Sequence, residues 1–181
     1  MAVDVVLDST VIVGALAQIA PGTVRFQQVP PRSGARYADA LGVFAYAKAT
    51  DFALLLSSDL VEEVVTVLGS RAELAWAFDE TDLAMERVAL LAQRSGGGFV
   101  TPATAVAVPP GLTASARTAL RTAATKDRAN MRVVVTEDET ALKMGELVPH
   151  GVPWPTDEPI SFVSPLRFAL IAEKVRWAMR R

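Results

Sequence analysis

The chain has 181 residues, a net charge of −2 and 51% hydrophobic residues. That is enough apolar material for one folded domain and gives no general attraction for polyanions. It contains no cysteine and one histidine, His150, in a proline-rich stretch, so disulfides, thiolate or multi-histidine metal sites and a cysteine nucleophile are excluded. A Ser–His–Asp triad would have to rest on that single loop residue. Asp4 and Asp8 interrupt the apolar N-terminal run and no Lys or Arg precedes it, which predicts no signal peptide. No apolar run is long enough to cross a bilayer, and a cytoplasmic protein is expected.

In chain order, Val3, Val5, Val6 and Leu7 form a β-branched apolar run, the pattern of a central strand covered on both faces. Asp8 ends it. Ser9 or Thr10 can cap a following helix, whose apolar spacing resumes at Val11, Ile12, Ala15 and Leu16. Residues 20–36 carry Pro21, Gly22, Pro30, Pro31 and Gly34 and read as a loop insertion, with Arg25, Phe26, Arg32 and Arg36. A helix is expected over Tyr37 to Ala49, then a second buried strand over Phe52 to Leu56. Ser57 or Ser58 can cap a helix to about Leu68, ahead of Gly69. On it, Glu62 belongs to the solvent face, whereas Glu63 neighbours Leu60 and Val67 at the margin of the apolar face.

Arg71 to Ala77 reads as a short helix or turn and Asp79 to Gln93 as a longer helix burying Leu83, Val88, Leu90 and Leu91. Gly96, Gly97 and Gly98 lack the spacing and lysine of a phosphate loop and read as a helix stop before a strand, Phe99 to Thr101. An alanine-rich helix is expected over Leu112 to about Lys126, a strand over Arg132 to Thr136, and a helix after Glu137, Asp138 and Glu139. Leu147 to Pro159 is a loop. Ile160 to Val163 is the last strand, and Pro165 suits the first turn of a closing basic helix over 165–181. Strands alternate with helices, so a single α/β domain over 1–181 with a parallel sheet is expected.

Charge is unevenly spread. Asp51 to Glu86 holds nine acids and one base; Thr113 to Arg132 holds five bases (Arg117, Arg121, Lys126, Arg128, Arg132) and one acid. Basic faces can meet nucleic acid at a negative total charge. Asp8 and Asp138 each end a strand and open a helix, and the helix carrying Glu63 begins on the same side of a parallel sheet. Three carboxylates could converge there. Clustered carboxylates repel unless a cation neutralises them, and an oxygen-only donor set suits Mg²⁺ or Mn²⁺. Such an ion can activate water against a phosphodiester.

VVLDSTVIVGAL resembles the opening motif of PIN domains, SSDLVEEVVTVL is similar to their second motif, and VVVTEDETAL resembles their fourth-strand motif. ISFVSPLRFAL looks like the strand, proline and helix ending of members related to toxin–antitoxin systems. The likeness spans almost the whole chain. It implies a PIN-like three-layer α/β/α sandwich and Mg²⁺- or Mn²⁺-dependent endoribonuclease activity. It further implies that Asp8 and Asp138 hold the metal, with Glu63 bound directly or through water. Ser9, Thr136, Arg117 and Arg121 would be substrate contacts. A small antitoxin protein and a homodimer are the partners it suggests, besides RNA.

The chain departs from that family in two places. Thr10 stands where many members carry asparagine. No acid lies between Leu112 and Lys126, where members carry a further aspartate. Asp127 is at the wrong end of that helix, roughly 15–20 Å away at helical rise. Thr113 or Ser115 would face the site instead, and Glu137 or Glu139 could supply the missing charge. The departure supports a second reading, a degenerate PIN-like module that binds RNA or a partner protein without catalysis.

Overall fold

The apolar runs become strands because each can be covered on both faces. The computed structural model describes residues 3–18, 43–44, 52–70, 76–125, 131–147 and 160–179. The predicted insertion at 20–36, the segments 71–75 and 126–130, and the loop over 148–159 lie outside them. Of the helix expected over Tyr37 to Ala49, Val43 and Phe44 are described; both are helical and fully buried.

The elements run β1 (Val3–Leu7), α1 (Ser9–Leu16), β2 (Phe52–Leu56), α2 (Ser58–Ser70) and α3 (Phe78–Arg94). They continue with β3 (Gly98–Phe99), α4 (Ala114–Ala123), β4 (Met131–Val135), α5 (Glu139–Leu147), β5 (Ile160–Val163) and α6 (Pro165–Met179). The five strands form one all-parallel sheet in the order β3-β2-β1-β4-β5, flanked by helices as a three-layer α/β/α sandwich. β1 is central. The chain leaves it toward β2 and β3 on one side, then returns past it to β4 and β5 on the other. The carboxyl ends of β1 and β4 therefore flank a topological switch point, where open α/β sheets form their ligand crevices.

Register fixes which side chains share a face. Asp4 and Val6 of β1 lie beside Ala53 and Leu55 of β2 and beside Arg132 and Val134 of β4. Side chains alternate along a strand, so Asp8 and Thr136 extend that same face. Helix α4 covers it, and the small buried residues Ala116, Ala119 and Ala123 let the helix approach closely. On the opposite face Phe168 of α6 packs on Phe52, with ring centroids 5.3 Å apart. Val5, Leu7, Leu54, Leu55 and Leu56 are fully buried, each contributing about 1.5–3 kcal/mol by removal from water.

Arg132, counted above among the bases of a potential basic face, is only 4% exposed. It is the register partner of Asp4, which is also buried, so residues of opposite charge occupy adjacent positions on β1 and β4. Local sequence could not show this, because the pairing of β1 with β4 spans most of the chain. Removing one charge leaves the other in the sheet interior. Arg132→Met alone should cost about 3–5 kcal/mol in urea unfolding, and Asp4→Leu with Arg132→Met much less than the sum of the single changes.

The three glycines end α3 as expected. Gly96 adopts φ +84° and its amide donates to the Gln93 carbonyl at 3.1 Å, while the Gly97 amide donates to that of Ala92. Ser95 Oγ accepts from the Leu54 amide at 2.8 Å and so closes part of β2 that the two-residue β3 does not reach. The edge strand is Gly98–Phe99, shorter and one residue earlier at its start than the expected Phe99 to Thr101. A Cβ on Gly97 would stand 1.9 Å from the Leu54 carbonyl oxygen. Gly97→Ala should therefore destabilise the chain by about 3 kcal/mol, read as a lowered midpoint in thermal unfolding.

Candidate functional site at the carboxyl edge

Every strand that feeds a helix on this edge does so through a side-chain cap. Asp8, not Ser9 or Thr10, caps α1: its Oδ1 accepts from the Thr10 amide at 2.8 Å, the Val11 amide at 3.1 Å and the Thr10 hydroxyl. Ser57 accepts from the Leu60 amide at 3.3 Å and caps α2, which runs on through Gly69 to Ser70. Thr113 accepts from the Ala116 amide and caps α4. Asp138 Oδ1 accepts from the Ala141 amide at 2.9 Å at the start of α5, and Ser164 accepts from the Arg167 amide at the start of α6. These caps occupy helix-terminal amides that have no partner within the helix.

The caps are joined to one another. Asp8 Oδ2 accepts from the hydroxyl of Thr136, and that same hydroxyl accepts from the Asp138 amide at 3.0 Å. Asp138 Oδ2 accepts from the Thr113 amide at 2.8 Å, reaching the first residue before α4. Ser9 and Ser115 share a hydroxyl hydrogen bond of 2.7 Å, as do Ser57 and Thr122. Helix α4 is thus tied to α5, α1 and the end of β2 by Thr113, Ser115 and Thr122 in turn.

Asp8 and Asp138 are linked at the switch point through Thr136, whose hydroxyl donates to the Asp8 carboxylate and accepts from the Asp138 main-chain amide. Ser9 and Thr136 stand there too, both buried, each engaged with another protein hydroxyl or carboxylate. The segment without an acid places Thr113 and Ser115 toward this edge. Glu63 is half-buried on α2, at the margin of the apolar face as its spacing implied. The structure does not assemble it with the two aspartates: among the described residues, no group of three or more His, Cys, Asp or Glu is placed to hold a metal ion. Glu137 and Glu139 are exposed, and Glu139 lies 3.8 Å from Lys143. Arg117 and Arg121 are exposed on α4, one helical turn apart, and neither is ion-paired among the described residues.

No protein-family model, no curated protein and no solved structure matches the chain.

The donor set decides what this edge can hold. Oxygen donors suit a hard divalent cation, which needs carboxylate lone pairs free to face it. A carboxylate offers about four lone-pair positions. Asp8 already accepts from Thr10 twice, from Val11 and from Thr136, and is 1% exposed. Asp138 has a backbone amide on each oxygen. About two positions on Asp138 stay open, but Asp8, buried and with four donors, offers no exposed oxygen to match them, so as arranged the pair does not fit a metal ion held between them.

Among the contacts that local sequence does not show are the Thr10 hydroxyl on Asp8 and Thr122 on Ser57. The sequence does carry a signal for Thr122. Ser115, Ala119 and Thr122 follow helical spacing on the buried side of an alanine-rich helix, and buried hydroxyls need partners.

Burial raises the pKa of Asp138, but the amides of Thr113 and Ala141, the Thr113 hydroxyl and the Thr140 amide together hold it below its ordinary value of 3.8. A depressed folded-state pKa favours folding above the unfolded value, and this stability is lost as pH falls through the lower, folded-state value. Asp138→Asn should be less stable than the parent near neutral pH. The gap should narrow as pH drops below 3.8, measured by unfolding free energies from about pH 6 to about pH 2.

Proposed function

We propose that this chain is a PIN-like RNA-binding module that holds the phosphate backbone along the exposed face of α4 and does not cleave it. The observation that carries this reading is the pair Arg117 and Arg121, both exposed, on the helix whose cap residue Thr113 is bonded to Asp138. From the capped start at Thr113 they lie roughly 6 and 12 Å along the helix axis, a spacing comparable to that of successive phosphates. Arginine forks suit phosphate oxygens. The order of the four sequence motifs supports a PIN-like origin, and the buried, four-donor carboxylate of Asp8 supports binding without hydrolysis.

The second reading is a Mg²⁺- or Mn²⁺-dependent endoribonuclease, with a possible role as a toxin paired with an antitoxin and a homodimeric state. One observation favours it: two aspartates stand near neighbouring strand ends at the switch point, where such a fold would place its chemistry.

Fluorescence anisotropy with a labelled single-stranded RNA distinguishes the readings. We expect salt-sensitive binding that weakens about tenfold in Arg117→Ala with Arg121→Ala, with a log–log salt slope shallower by about one to two. The same RNA incubated with Mg²⁺ or Mn²⁺ should stay intact. Absence of binding by the parent protein would sink the proposal. Cleavage that EDTA and Asp8→Asn both abolish would establish the nuclease reading.

A further inference from the structure

The mismatch between the two aspartates and a metal ion leaves their burial to be explained. We infer that Asp8, Thr136 and Asp138 form a metal-independent clasp that fastens the starts of α1, α5 and α4 to the ends of the two central strands. This is a statement about what the carboxylates do, and it stands apart from whether α4 binds RNA.

Thr136 is the joint of this clasp. Its main-chain amide continues the sheet by donating to the Val163 carbonyl at 3.0 Å, so its position is set by β5. Its hydroxyl hydrogen is committed to Asp8 and its hydroxyl oxygen to the Asp138 amide. One fully buried hydroxyl therefore joins the cap of α1 to the cap of α5. Asp138 then passes the connection to the Thr113 amide, 25 residues earlier in the chain. In a clasp of this kind each donor answers an acceptor, and no carboxylate oxygen is left needing a cation to offset its burial.

A metal site would differ in a measurable way. Carboxylates gathered for a cation repel one another when it is absent, so replacing one commonly stabilises the metal-free protein, and adding the cation stabilises it further. A clasp responds in the opposite sense to both changes. Loss of either carboxylate or of the bridging hydroxyl removes stability, and a divalent ion adds none.

Thermal unfolding of the full chain without RNA tests this. Thr136→Val keeps the shape of the side chain but removes the hydroxyl, stranding Asp8 Oδ2 and the Asp138 amide. It should lower the midpoint by about 4–10 °C, and Thr136→Ser should recover most of that loss. Asp8→Asn should also lower the midpoint. Millimolar MnCl₂ should leave the parent midpoint unchanged. The inference is overturned if Asp8→Asn raises the midpoint, if Thr136→Val melts with the parent, or if Mn²⁺ raises the parent midpoint by several degrees but not that of Asp8→Asn. Should Thr136→Val fail to fold, the serine variant and the Mn²⁺ titration of the parent still decide. Intact stability results beside absent RNA binding would retire the RNA proposal and leave the clasp standing.

Discussion

The fold hinges on one buried carboxylate. Asp8 ends the central strand, where the apolar layer stops and a helix must begin without a connecting loop. Four backbone amides at the start of any helix lack intrahelical partners, and a carboxylate at the cap position can take several of them. That solves the helix start but creates a charge at 1% exposure, which is tolerable only when its oxygens are answered. Thr10 and Val11 answer one oxygen locally, and Thr136 answers the other from across the sheet. The local solution would serve in an isolated strand–helix unit. The distant one requires β4 to lie beside β1 in register, so the cap of the first helix also constrains the topology.

The same logic runs along the whole carboxyl edge. Ser57, Asp8, Thr136 and Ser164 occupy equivalent positions at the ends of β2, β1, β4 and β5, a polar row on the face that α4 covers. Each engages an amide or hydroxyl supplied by a helix start or by α4. Such a row is the usual place for a ligand in an open α/β sheet because it is where helix amides converge. Here the chain's own side chains fill that role. The hydroxyls of Ser115 and Thr122 are central to this, since an aliphatic α4 would take from Ser9 its bond to Ser115 and leave buried Ser57 only the Leu60 amide, and an acidic one would bring a further charge beside Asp8 and Asp138.

What could be read from sequence follows from how far each feature reaches. β1, β2 and β5 have the bounds their apolar runs imply, because a continuous β-branched or leucine-rich run needs no knowledge of its neighbours. β3 was misplaced because its two residues are set by pairing with Leu55 and Leu56 and by the close approach of Gly97, both non-local. Asp8, Ser9 and Thr10 are three adjacent polar residues that can each cap α1, and only the turn geometry chooses Asp8. Arg132 looked like surface charge until register set it beside Asp4. The strand-end positions of Asp8 and Asp138 were legible; that a threonine would link them, and that Glu63 would not join them, depended on packing.

These differences bear on how acids at strand ends should be interpreted. Two carboxylates at a switch point are compatible with a cation site and with a pair of helix caps, and residue type alone cannot separate the two. The separation lies in donor arithmetic. An aspartate whose oxygens face a crevice needs something to come from outside; one with four protein donors needs nothing. Thr136 is the residue that moves this chain from the first condition toward the second, because it sits between the aspartates and satisfies one while being held by the other. The polar row at the carboxyl edge is then largely satisfied from within, and a contact with a polyanion would fall to charges standing outside it, on the exposed face of α4.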